Sequence, residues 1–146
     1  MPTWRLTLSI LPGLFAVCRL PAAAPLPSWA SAGPFVSITR TRDELSVVCR
    51  QSDVPACGET EGGWRCLKVE GLFPLEGTIG VLAALATLLA AAGIGVLAIG
   101  TYDTDYLLLK ETHLPHATRV LTHAEHRVRD QPAPGHGDGA DARDAG

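Results

Sequence analysis

The chain has 146 residues, enough for one compact domain or two very small ones. Twelve Lys and Arg against 15 Asp and Glu give a net charge of −3, which excludes the basic footprint of a nucleic-acid surface. Aromatic residues make up only 5% of the chain, so the core must be built largely from small aliphatic side chains.

In chain order, the first predicted strand is Leu6–Leu11, followed by a second apolar run at Leu14–Leu20. Pro21, Pro25 and Pro27 then make the next stretch an irregular crossing, because proline interrupts a helix. Phe35–Thr41 and Leu45–Cys49 read as strands around a turn at Arg42-Asp43, and Ser52–Pro55 reads as a short capped segment. Trp64–Glu70 alternates Leu67 and Val69 with Arg65, Lys68 and Glu70, the pattern of a strand. A loop with Pro74 and Gly77 leads to Thr78, which predicts an N-cap, and to an Ala/Leu-rich helix over Ile79–Ala92. Gly93 stands where a C-terminal glycine belongs. Gly95–Thr101 is the next strand, "TYDTD" is a polar turn, and Tyr106–Lys110 is a further strand. Thr112 and Pro115 open a last helix carrying Leu114, Ala117, Leu121 and Ala124 at helical spacing. From residue 129 the sequence lacks large apolar residues and reads as a disordered tail.

Two features suggest a different protein. Residues 1–33 imitate a secretory leader, with Arg5, an apolar run and Ala30-Ser31-Ala32 before Gly33. The uncharged stretch from Gly77 to Tyr102 matches the roughly 20 residues that a membrane span needs. An internal repeat argues against a secreted single-span protein. At an offset of sixty, Trp4-Arg5 meets Trp64-Arg65, Gly33 meets Gly93, Val36 meets Val96, Thr41 meets Thr101, Asp43 meets Asp103 and Pro55 meets Pro115. A small slip also aligns Gly13-Leu14-Phe15 with Gly71-Leu72-Phe73. The opening stretch then belongs to the folded protein. Cleavage near Gly33 would also leave an odd set, Cys49, Cys57 and Cys66.

The four cysteines match no zinc or redox spacing, and three of them lie inside apolar runs, which predicts buried thiols. His113, His116, His123 and His126 recur at helical spacing without a fixed carboxylate or Cys beside them, so they read as a solvated helix face rather than a metal site. No nucleophile elbow, phosphate loop or dinucleotide fingerprint is present, which predicts that the protein is not an enzyme and needs no cofactor.

The duplicated β-loop-α-β-turn-β-α order, carried by "LSILPGLFAVCRL", "PFVSITRTRDELSVVC", "WRCLKVEG", "IGVLAALATLLAAAGI" and "AIGTYDTDYLLLKE", resembles the ACT-domain family. The resemblance is to short bacterial tandem ACT proteins and to the ACT modules of cytosolic arginine sensors. It implies an α+β fold of two ferredoxin-like βαββα units, with antiparallel sheets and helices packed on one side. Residues 1–62 would form a first unit lacking a full helix 1, residues 63–128 a second unit, and 129–146 the tail. It further implies a cytoplasmic regulator that binds an amino acid or similar small ligand between units, without catalysis, nucleic acid or membrane. A protein partner or a homodimer is compatible with that role. Carried over by position, the ligand would meet Glu76, Gly77, Thr78, Ile79 and Gly80 in the loop before the helix, and Thr101, Tyr102, Thr104 and Asp105 in the turn. In the arginine sensors an acidic residue at the place of Asp105 engages the ligand's cationic side chain. The chemistry is reasonable in itself: helix N-terminal amides bind a carboxylate, and Asp105 or Asp103 can take an ammonium. An interaction module that keeps the fold without the ligand is the alternative reading.

Overall fold

The computed structural model describes residues 5–55, 58–71 and 80–132. Its frame is one mixed sheet of eight strands: β1 (Thr7–Ile10), β2 (Phe15–Leu20), β3 (Ser37–Arg40), β4 (Leu45–Arg50), β5 (Glu59–Val69), β6 (Leu97–Gly100), β7 (Asp105–Lys110) and β8 (Arg127–Asp130). Two α-helices, α1 (Val81–Ala91) and α2 (Leu114–His123), complete the α+β fold.

The long strand β5 joins the two halves. Its first part pairs antiparallel with β2, which continues outward through β4 to β3. Its second part lies between β1 and β7, with β8 outside β1 and β6 outside β7. Each half repeats one plan, because β2-β4-β3 pair in the same order as β5-β7-β6. The expected division at residue 62 therefore falls inside a strand, and β1 sits in the half that carries the helices. The parallel pairing of β1 with β8 also departs from the expected all-antiparallel arrangement. It carries strand order two residues into the expected tail, through Asp130; residues 133–146 lie outside the described residues.

Register corrects the sequence repeat. The hairpins β3–β4 and β6–β7 correspond at the expected offset of sixty: Arg40 faces Leu45 as Gly100 faces Asp105. The preceding strands do not. Phe15 faces Arg50 as Trp64 faces Lys110, so Phe15, rather than a residue near position 4, is the counterpart of Trp64. The crossing 21–36 is shorter than its counterpart 70–96 by eleven residues, the length of α1. The first half has no α-helix there: its crossing is shorter, and Pro21, Pro25 and Pro27 interrupt helical hydrogen bonding across it. A single 3₁₀ turn, Ser28–Ala30, stands in its place.

Strand alternation sorts side chains into three cores. Leu8, Leu67, Val69, Leu107 and Leu109 pack under Val81, Leu85 and Leu89 of α1 and Ala117 and Leu121 of α2. On the opposite face, Phe15, Phe35, Val48, Cys66 and Leu108 fill the space between the halves, with Trp64, Ile99 and Tyr106 against them. Cys18, Leu45, Val47 and Cys49 pack beneath Ala24, Trp29 and Ala30 of the crossing. Both faces of β7 are covered, which explains its uninterrupted Leu107-Leu108-Leu109 run. Among the described residues no helix is long and apolar enough to cross a membrane. The suspect stretch divides at Gly93, whose φ of 78° ends α1: Gly93 N–H donates to Ala90 and Ile94 N–H to Leu89.

Candidate functional site

The turn after β6 is built from its own hydroxyls. Thr101 N–H donates to the Thr104 carbonyl at 2.8 Å, and Thr101 Oγ1 accepts from Thr104 N–H at 3.2 Å while donating to the Thr104 carbonyl at 3.0 Å. Thr41 does the same in the first half, accepting from the Asp43 and Glu44 amides. The repeat Thr41/Thr101 is therefore first a turn-building device. Thr104 has a further part: it is buried, and its Oγ1 donates to the Val69 carbonyl at 2.6 Å. That bond fastens the turn to the end of β5, just before the loop leading to α1. Tyr102 projects into solvent, 80% exposed, and Asp105 is half-buried at the start of β7.

Of the other expected contacts, only Gly80 is among the described residues; Glu76, Gly77, Thr78 and Ile79 lie outside them. Helix α1 begins at Val81, two residues later than expected, and Gly80 occupies its N-cap with φ 94°. Gly80 has no side chain to bond the first-turn amides, so their polarity is not met by the cap itself. The strand and turn pieces thus meet at the bond between Thr104 and Val69.

Sequence reasoning missed a polar cluster beside this region, on the sheet face away from the helices. Ser9 is fully buried; its Oγ donates to Glu70 Oε2 at 2.6 Å and accepts from Arg129 Nε at 3.0 Å. Lys68 Nζ lies 3.5 Å from Glu70 Oε1, and Arg129 Nη2 lies 3.5 Å from Glu70 Oε2. Burial alone would raise the Glu70 pKa, but the Ser9 bond and the two cations outweigh it and hold the carboxyl below its usual value. Burial is the first cause raising Tyr106, on the neighbouring strand. Ser9, Glu70 and Arg129 are far apart in sequence and carry no shared pattern; only the pairing of β1 with β5 and β8 assembles them.

A groove of about 480 Å³ opens on the same face at the other end of the sheet, lined by Arg19, Glu44, Glu59, Glu61, Trp64 and Leu97 among others. Its charges are largely answered internally. Arg19 lies 3.4 Å from Glu59, and Lys110 lies 3.0 Å from Glu61 and 4.7 Å from the centre of the Trp64 ring. The expected buried thiols are found at Cys49 and Cys66; Cys57 lies outside the described residues. Burial, reinforced by Cys18 and Asp53 and opposed by Arg50, pushes the Cys49 pKa up to about 11. Burial pushes Cys66 up to about 12, so neither is a thiolate at neutral pH. His126 departs from the expected solvated face. It is buried beyond the end of α2, and its Nδ1 accepts the Leu6 N–H at 3.1 Å.

Comparison with known proteins agrees with this architecture. The profile of the ACT domain matches residues 59–123, from β5 through α2. A profile described as an N-terminal domain matches residues 13–57, which hold β2, β3 and β4. Strands β1 and β8 fall outside both. A crystal structure of a protein from Agobacterium tumefaciens is 35% identical, with the match covering 90% of this chain and 98% of that one at a TM-score of 0.82. A Vibrio cholerae protein of unknown function, described as a possible transport protein, is 20% identical over 82% of this chain and 90% of its own, with a TM-score of 0.65. The ligand-free regulatory subunit of aspartate kinase from Thermus thermophilus shares 10% identity over 76% of this chain and 91% of its own, with a TM-score of 0.54; at that identity the likeness is one of fold. No curated protein sequence matches. The repeated strand order, the two matched segments and the full-length Agobacterium relative lead to one conclusion: the chain belongs to the ACT-domain family.

Proposed function

We propose that the protein is a cytoplasmic regulator that binds an amino acid or similar small ligand and carries out no catalysis. The observation that carries this reading is the anchoring of the 101–105 turn to the end of β5 through Thr104 and Val69. The loop before α1 leaves the sheet from that same end. The first-turn amides of α1, uncapped by any Gly80 side chain, would receive the ligand's carboxylate. Asp105 would take its ammonium, Tyr102 and Thr101 would stand at the rim, and Glu76, Gly77, Thr78 and Ile79, which lie outside the described residues, are the further contacts that the resemblance implies. Thr104 acts in this scheme by holding the turn, since its hydroxyl is already used. Fold likeness to a regulatory subunit fits the same role. The first half, with no helix 1, would offer no equivalent site.

One observation favours a second reading, a protein-interaction module without ligand: the hydroxyls of Thr101 and Thr104 are both spent inside the protein. A thermal-shift screen of the twenty amino acids separates the two. Ligand at 100 times its dissociation constant adds about 2.7 kcal/mol of stability, a rise of several degrees. Asp105→Ala should abolish that rise while leaving the unliganded melting temperature nearly unchanged. Absence of any shift at millimolar concentration rejects the ligand role.

A further inference from the structure

Phe15 and Trp64, counterparts in the two halves, face each other across β2 and β5. A pseudo-two-fold axis therefore passes between them, and a contact that one half makes on the other is expected to have a mate across the axis. One such contact has none. Phe35, just before β3, is buried, with its ring edge-on to Phe15 at 6.2 Å and tilted against Tyr106 of β7 at 4.6 Å. The offset of sixty that relates the two hairpins puts Gly95 at the place of Phe35 and Ser46 at the place of Tyr106. Trp64 holds the place of Phe15. Trp64 and Ser46 both line the groove of about 480 Å³, with Val17 and Leu97 beside them. The groove is thus the space that the Phe35 ring fills on the other side of the axis. A Cβ added at Gly95 would meet nothing within 4 Å, and the Gly95 backbone lies outside the left-handed region.

We propose that this groove binds a small aromatic amine, whose ring takes the place of the missing phenyl group and whose ammonium meets the rim carboxylates. Its volume falls within the roughly 300–1,000 Å³ of small-molecule sites. Trp64, Val17 and Leu97 give the ring apolar walls, and Trp64 offers it the aromatic neighbour that Phe15 offers Phe35. Charge selects the head group. Glu44, Glu59 and Glu61 line the groove, and the cations beside them are engaged. Arg19 lies 3.4 Å from Glu59 and donates to the Asp43 carbonyl at 3.1 Å, while Lys110 lies 3.0 Å from Glu61 and donates to the Gly62 carbonyl. Among the described residues Glu44 has no ion-pair partner. An ammonium group therefore finds a carboxylate here, whereas a ligand carboxylate meets only cations already committed to other oxygens. That chemistry separates the groove from a site for an amino acid. The groove also lies at the other end of the sheet from the 101–105 turn, so this inference goes beyond the ligand reading and does not depend on it.

Calorimetric titration of the full chain with phenethylamine tests the proposal, beside hydrocinnamate, which has the same ring and two-carbon chain but ends in a carboxylate. Saturable one-site binding of the amine at micromolar to millimolar concentration is expected, with no binding of hydrocinnamate. Glu44→Gln should weaken the amine about tenfold. Gly95→Phe restores the missing ring from within the chain and should abolish binding. Ser46→Tyr, which fills the same space from β4, serves where Gly95→Phe does not fold, as judged by circular dichroism. The comparison of amine with carboxylate on the unaltered protein needs neither variant. No binding of phenethylamine at millimolar concentration overturns the proposal, as does equal binding of hydrocinnamate. Binding retained in a folded Gly95→Phe or Ser46→Tyr places the amine elsewhere and overturns it too.

Discussion

Two residues at the end of α2 show how local chemistry sets stability. Glu125 adopts φ 72°, a left-handed conformation unusual for any residue but glycine. Its N–H donates to Thr122 and that of His126 to Leu121, the same closure that Gly93 provides for α1. The conformation costs about 1–2 kcal/mol, while the exposed ion pair of Glu125 with Arg5 at 2.7 Å returns less than about 1 kcal/mol. Glu125→Gly should therefore stabilise the protein by about 0.5–1 kcal/mol, read as a higher denaturant midpoint at unchanged slope. His126 gives a pH dependence of known sign. Burial lowers its pKa, and its Nδ1 must be unprotonated to accept from Leu6. The unfolded chain takes up the proton first, so this contribution is complete above about pH 6.5 and is lost as pH falls through the folded value. Glu70, also lowered, adds a second loss below the ordinary carboxylate range. Urea midpoints should fall between pH 7 and 5, and His126→Gln should flatten that interval while leaving the Glu70 fall at lower pH.

Among the elements, β5 has the most demanding geometry. Its register against β2 shifts by one residue between Phe15 and Val17, and Gly63 at the shift has φ 82°. The Gly63 N–H donates to Gln51 Oε1 at 2.7 Å, and Lys110 Nζ donates to the Gly62 carbonyl at 2.5 Å. This bulge lets one strand serve β2 along its first part and β1 and β7 along its second. Gly63→Ala has open space for its Cβ, so its cost should be backbone strain alone, about 1–2 kcal/mol. The added Cβ of Gly62→Ala would run into Gln51 Oε1, and the change should cost more, because moving Gln51 releases its bond to Gly63. Equilibrium unfolding of the two variants gives the order. The strands and helices around this bulge were legible from alternation and from Ala/Leu composition, to within a few residues at their ends. The bulge itself was not, since Gly62-Gly63 reads equally well as a turn.

Across the whole molecule, the central core makes the halves one unit. Phe15, Phe35 and Val48 from the first half meet Leu108, Ile99 and Tyr106 from the second, with the Phe35 and Tyr106 ring centres 4.6 Å apart. Leu108→Ala, at a fully buried site between the halves, should cost about 2–5 kcal/mol and lower a single unfolding transition followed by tryptophan fluorescence. Two separate transitions would show that the halves fold independently.

The sequence by itself determined the class of the protein. Periodicity marked nearly every strand, glycine and proline placed the breaks, and the repeated Thr-x-Asp turn and its flanking strands pointed to the family. These are local properties, written within a few neighbouring residues. Tertiary structure decided what depends on distant residues meeting. It placed β1 in the helix-bearing half, matched Phe15 to Trp64, joined Ser9, Glu70 and Arg129, buried His126 and fastened Thr104 to Val69. Hydrogen-bond register is a relation between strands, and no single strand carries it. For the same reason Thr101, Thr104 and Asp105 were legible as a polar turn, while only the folded chain shows that one of those hydroxyls is already bonded to β5.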